Sequence, residues 1–151
     1  MTKMRARAVV VASGVFEQPA VFHNNDLPGV MLASAAQRLI YRYAVKPMRS
    51  AVVLTGNDDG YDAALDLCAN GIRVDALVDL RSAADSRGAA EKLAREGVRV
   101  YSGHGIHELR KSGGRVSAAI VCPLLPNGEL DVARQESIGC EIGRASCRER
   151  V

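Results

Sequence analysis

Apolar and polar positions along this chain repeat with two periods, and their order predicts its elements. Residues 7–14, RAVVVASG, form an apolar run closed by small residues. Such a run predicts a buried parallel strand over residues 8–12 that delivers its C-terminal end to a site. Residues 22–29, FHNNDLPG, are turn-forming, because Asn, Asp, Pro and Gly each offer the backbone a local alternative to helix or ladder. Asn24, Asn25 and Asp26 either line a cleft or shape the turn before Pro28, and the turn is the preferred reading. Leu32, Ala35, Ala36, Leu39, Ile40 and Tyr43 then recur at three- and four-residue steps, which predicts one face of a helix ending before Pro47.

Two strand–helix–strand passages follow. Residues 51–54 predict a short strand, residues 55–60 (TGNDDG) a loop, and Tyr61, Ala64, Leu65 and Cys68 the inner face of a helix stopped by Asn70 and Gly71. Ile72, Val74, Ala76 and Val78 alternate into a second strand closing at Asp79, and this βαβ unit implies a parallel sheet. A weaker copy has a helix over about residues 85–96, with Ala90, Leu93 and Ala94 inward, feeding a strand at 98–101. The junctions NGIRVD and EGVRVY look alike. Beyond them the pattern is strands alone: 106–110, a Gly113-Gly114 turn, 115–122 and an Asn127-Gly128 turn. The predicted fold class is α/β, a parallel sheet followed by a β-meander.

Composition narrows the class of protein. The 151 residues are 48% hydrophobic and 25% charged, which suits a folded domain and excludes a disordered chain. The longest apolar runs fall far short of the roughly 20 residues that cross a bilayer, so no membrane partner is expected. The net charge of +3 suggests nucleic acid until its location is considered. Without residues 142–151 (IGRASCRERV), the 20 basic and 17 acidic residues become 17 and 16, and no nucleic-acid partner is expected. That decapeptide lacks apolar periodicity, resembles translated sequencing adapter, and is read as a non-native tail. Cys68, Cys122, Cys140 and Cys147 match no zinc or redox spacing, consistent with a reduced, cytoplasmic protein. His104 and His107 form an HxxH pair without a third ligand nearby and read as surface histidines, so no metal is expected.

The loop at 55–60 carries the candidate chemistry. A strand, a tight loop and a helix N-terminus in that order make an anion site, because unpaired helical amides and the positive end of the helix dipole converge there. A dinucleotide pyrophosphate fits. If Gly60 takes the third glycine position of a GxGxxG fingerprint, Thr55 and Asn57 stand in the first two, with Gly56 between them. Asp58 and Asp59 then lie beside the pyrophosphate, where carboxylates repel it unless they point away as caps. Asp79 at the second strand's end is placed to accept from a ribose hydroxyl, one residue beyond the usual slot; Arg81 is placed to meet a 2′-phosphate instead. NAD and NADP both remain open, as does the reading of Asp79 and Arg81 as solvated strand-end charges. A calcium-loop reading of TGNDDGYDAALD needs a helix upstream, where the pattern predicts a strand. Ser13 lies outside any GxSxG context, no nucleophile and base pair assembles, and redox chemistry would require a cofactor.

The stretch VVVASGVFEQPAVFHNNDLPGVMLASAAQRLIYRYAV, with AVVLTGNDDGYDAALDLCANGIRVDALVDLR, resembles the α subunit of heterotetrameric sarcosine oxidase and its opine-oxidase-like relatives. The resemblance covers about residues 5–141, and NNDLPGVMLASA is its most specific part. It implies a two-dinucleotide-domain flavoprotein. Residues 1–48 would be the end of a first, FAD-type nucleotide domain with a connecting helix, and 49–141 a truncated Rossmann-like NAD(P)-binding domain. It also implies an oxidoreductase of CH–NH groups that converts sarcosine to glycine with formation of hydrogen peroxide, the one-carbon unit passing to tetrahydrofolate or leaving as formaldehyde. NAD would be held by the α subunit, and the flavin, FAD or FMN, mainly by a β-subunit partner. Thr55, Gly56, Asn57, Asp58, Asp59, Gly60 and Asp79 match the pyridine-nucleotide loop and strand end. Ala12, Ser13 and Gly14 match an Ala-Thr-Gly-like turn closing the first domain. No catalytic residue falls among these positions. The resemblance further implies that the chain is a piece of a longer subunit, with a βαβ unit bearing GxGxxG before Arg7, a strand and a Ser-Gly-Gly turn after Glu141, and a tetrahydrofolate-binding domain further on.

Three further readings stand beside it. One is a scaffold whose degenerate loop binds nothing, and another is a subunit of an opine or other secondary-amine dehydrogenase. A stand-alone NAD-dependent reductase is disfavoured, because no Tyr and Lys pair at helical spacing follows the loop.

Overall fold

A computed structural model describes residues 6–10, 16–83 and 87–140. Its element order is α1 (Ala33–Tyr43), β1 (Ser50–Thr55), α2 (Asp59–Ala69), β2 (Arg73–Asp79), α3 (Arg87–Arg95), β3 (Arg99–Ser102), β4 (His104–Ser112), β5 (Arg115–Pro123) and β6 (Glu136–Gly139). β1, β2 and β3 form a parallel sheet in that spatial order, and β4, β5 and β6 an antiparallel one. The α/β class and the meander are thus present as predicted.

Strand periodicity explains the layering. Ala51, Val53, Val74 and Leu77 point to a core shared with Ala36 and Ile40 of α1, Tyr61, Ala64 and Leu67 of α2, and Leu93 of α3. Val52, Leu54, Ala76 and Val78 point the other way, onto Ile106, Leu109, Val116, Ala119 and Val121 of the antiparallel sheet. A sheet covered on both faces needs apolar residues at successive positions, which is why Ala76, Leu77 and Val78 of β2 are consecutive, apolar and buried.

The likeness of the two junctions has a local cause. Gly71 and Gly97 adopt left-handed φ values of 70° and 76°. Each follows a helix whose third-last carbonyl (Leu67, Leu93) accepts from the residue after the glycine (Ile72, Val98), while the glycine amide bonds the next carbonyl. This is one helix-ending motif used twice. Gly103, at φ 67°, reverses the chain from β3 directly into β4.

Three expectations need correction. Residues 6–10 form no strand, and Val9 and Val10 are 80% and 89% exposed. An apolar run becomes a strand only when neighbouring strands complete its backbone hydrogen bonds, and none flanks this one among the described residues. Residues 11–14 lie outside the described residues. In α1, Ala35 and Tyr43 face solvent, and in α3 Ala94 does, so the buried stripes are narrower than the periodicity predicted. The Asn24–Asp26 segment, by contrast, shapes a turn: Asn24 has φ 66° and its side-chain Nδ2 donates to Leu109 O at 2.8 Å, tying the turn to β4.

Candidate functional site

Parallel register brings Thr55 and Asp79 side by side at the C-terminal edge of the sheet, with Ser102 next in line. Ligands of open α/β sheets bind beyond this edge. Residues 56–58 form the loop above it, and α2 starts at Asp59. The first bonds into α2 run from the Tyr61 and Asp62 amides to Asp58 O at 2.9 and 3.3 Å, so the Asp59 and Gly60 amides lie ahead of the helical ladder. Within the loop, the Thr55 hydroxyl accepts from the Asn57 amide at 3.2 Å and donates to Asn57 O at 2.9 Å.

Gly60 is fixed by close approach. A Cβ there would overlap Thr55 Oγ1 and Cβ and lie 3.0 Å from its Cγ2. The third fingerprint glycine serves the same close packing of helix on strand. Gly56 is different: its Cβ would meet only Leu80 Cδ1 at 3.7 Å, an ordinary contact.

Asp79 is fully buried and its oxygens are filled by protein donors. Oδ1 accepts from the Arg81 amide at 2.9 Å and Nε at 3.2 Å; Oδ2 accepts from the Tyr61 hydroxyl at 2.8 Å and Arg81 Nη2 at 3.0 Å. Two donors on each oxygen exhaust a carboxylate's acceptor sites. Burial pushes the Asp79 carboxyl up, but the Arg81 side chain, the Arg81 amide and the Tyr61 hydroxyl outweigh it and hold it below the ordinary carboxylate range. Arg81 Nη2 also reaches Asp58 Oδ1 at 2.8 Å, and the guanidinium carbon lies 6.0 Å from the Tyr61 ring centroid. Bonds to Asp79 and then Asp58 raise the Arg81 pKa. Asp59 meets Asn57, whose side-chain amide donates to its Oδ2 at 3.4 Å.

The predicted residues Thr55, Gly56, Asn57, Asp58, Asp59, Gly60 and Asp79 therefore come together. Ala12, Ser13 and Gly14 lie outside the described residues. Tyr61 was predicted only as an inward face; its hydroxyl partner is the missed feature, and the signal was that a buried tyrosine needs one. Glu17 was also missed. Its carboxylate accepts the Ala33 and Ser34 amides, each at 2.9 Å, and so caps α1 from sixteen residues away. No sequence motif marks it.

A separate cavity of about 370 Å³ follows the outer edge of β1 between α1 and the antiparallel sheet. Its walls are mainly apolar, and none of residues 55–60 lines it. Among the described residues no helix is long and apolar enough to cross a membrane, and no group of three or more His, Cys, Asp or Glu is placed to hold a metal ion.

The chain is 39% identical over 128 residues to sarcosine oxidase subunit alpha of Corynebacterium sp. strain P-1, covering 84% of this chain and 13% of that protein. It is 39% identical over 135 residues to the subunit of the same name from Rhizobium meliloti, covering 83% of this chain and 13% of the relative. This chain is similar to a segment of sarcosine oxidase alpha subunits. It spans about 13% of the length of these relatives. No protein-family model matches it. Among solved structures, a FAD-dependent pyridine nucleotide-disulphide oxidoreductase from Desulfovibrio vulgaris superposes with a TM-score of 0.60 at 19% identity, over 83% of this chain and 31% of that one. That likeness supports the fold assignment.

Proposed function

We propose that this chain supplies the pyridine-nucleotide-binding module of a sarcosine oxidase-like α subunit, a cytoplasmic oxidoreductase acting on CH–NH groups. In this reading residues 1–48 end a first nucleotide domain, 49–141 form the NAD(P)-binding domain and 142–151 are a non-native tail. Ala12, Ser13 and Gly14 close the first domain. FAD or FMN and a flavin-bearing β subunit complete the assembly.

The observation that carries the reading is the packing of Gly60 on Thr55, which sets the start of α2 directly above the strand end. The Asp59 and Gly60 amides, ahead of the helical ladder, suit an anion such as a pyrophosphate. Thr55 and Asn57 hold the loop's shape through their mutual bonds. When bound, the nicotinamide supplies a hydride acceptor, which no side chain offers.

One observation favours a second reading, a nucleotide-free scaffold: Asp79 presents no open acceptor to a ribose. Calorimetric titration of the full chain with NAD and NADP separates the two. The nucleotide reading expects saturable heat and a raised Tm, since a ligand at 100 times its Kd stabilises by about 2.7 kcal/mol. No heat and no melting shift at millimolar nucleotide would leave the scaffold.

A further inference from the structure

A phosphate loop bearing Asp58 and Asp59, above a strand ending in Asp79, concentrates three carboxylates where an anion is to bind. We propose that Arg81 is the positioning residue that removes this obstacle: it neutralises Asp58 and draws it aside, and Asp79 holds Arg81 in place rather than binding a ribose. The proposal rests on the nucleotide-binding reading and goes beyond it by giving Asp58, Asp79 and Arg81 their roles.

Three observations support it. Asp79 is consumed entirely by Arg81 and Tyr61, so its charge is spent inside the protein. The guanidinium is fixed at two points by Asp79, through Nε and Nη2, the Arg81 backbone amide bonds the same carboxylate, and the Tyr61 ring flanks the guanidinium. From that anchor Nη2 reaches Asp58 at 2.8 Å, although the Asp58 side chain is 72% exposed. A planar guanidinium with a rigid fork of donors can serve two carboxylates at once; a lysine could not do so with the same geometry. The bridge joins the end of β2 to the residue preceding α2, two elements that would together frame the pyrophosphate.

The test is calorimetric titration of NAD into the full chain and three variants, with melting curves to verify folding. Arg81→Gln should weaken binding by about tenfold or more, because Asp58 then stands uncompensated beside the anion. Adding Asp58→Asn to Arg81→Gln should restore most of that loss, a rescue that packing alone would not produce. Asp58→Asn alone, at an exposed position where folding is not at risk, should tighten binding a few-fold and lessen its salt dependence. Unaltered binding by a folded Arg81→Gln chain, absence of rescue in the double variant, or weaker binding by Asp58→Asn would overturn the proposal while leaving the nucleotide reading intact. Failure of the unaltered chain to bind NAD would overturn both.

Discussion

Two regions of the molecule, the C-terminal edge of the parallel sheet and the rim of the antiparallel one, handle their polar groups in opposite ways. At the C-terminal edge of the parallel sheet, Thr55 and Asp79 are buried and bonded within the protein, and Arg81 is tucked against them. At the rim of the antiparallel sheet the ion pairs are exposed: Arg110–Glu108 within β4, and Arg99–Glu136, which joins β3 of the parallel sheet to β6, keep 57%/30% and 65%/46% of their side chains exposed. Both sheets contribute to one apolar core between them, so hydrophobic burial does not separate them. What separates them is the cost of leaving a polar or steric fit incomplete. A buried carboxylate stripped of its partners has no water to fall back on, whereas a rim pair does.

Glycines give the sharpest way to break that contrast. Gly60→Ala forces a Cβ into Thr55 at the heart of the parallel edge and should destabilise by about 3 kcal/mol, the upper end of overpacking. Gly139→Ala on β6 meets nothing within 4 Å and should change stability by no more than about 0.5 kcal/mol. Urea melts of the two variants decide it, and equal midpoints would erase the distinction.

Asp79→Asn comes next. Breaking a fully buried ion pair costs about 3–5 kcal/mol, and partial exposure of the Arg81 side chain lowers the expectation here to about 2 kcal/mol. The folded Asp79 pKa lies below its ordinary value of 3.8. Its contribution is therefore complete above pH 3.8 and lost as pH falls through the folded value. Comparison of the two proteins by acid titration should show the stability gap closing below about pH 4; a constant gap would mean that Asp79 acts through packing instead.

Why some of this was legible in the sequence and some was not follows from distance along the chain. The paired junctions at Gly71 and Gly97 depend on six consecutive residues, so NGIRVD and EGVRVY announced them. Gly60 falls at the start of α2, packed on Thr55, and that position was legible because strand, loop and helix are contiguous. The bridge from Arg81 to Asp58 spans 23 residues and exists only because parallel register aligns Thr55 with Asp79; no local pattern encodes it. The strand expected from residue 8 is absent over the described residues 8–10 for the complementary reason. Their composition satisfies a strand, but a strand is completed by neighbours that the run does not itself specify.

The smallest effect sharpens the comparison from the rim, where β3 of the parallel sheet meets β6 of the antiparallel one. Tyr101 ends its ring against Arg99, whose guanidinium carbon lies 4.5 Å from the centroid, and its hydroxyl donates to Glu136 Oε1 at 2.7 Å. Burial first, and then the bond and charge of Glu136, push the phenol up to about 12. A raised tyrosine pKa means that folding favours the neutral form, so this contribution is present below the ordinary value of 10.0 and lost as pH rises through about 12. Glu136→Gln removes the charge and keeps an acceptor. The phenol's absorbance titration should move from about 12 toward 10.0, while stability at neutral pH falls by no more than about 1 kcal/mol, because the Arg99–Glu136 pair is half exposed. A loss as large as that of Asp79→Asn would show that the rim pair matters to the fold as much as the buried one does, and the contrast between the buried edge and the rim would fail.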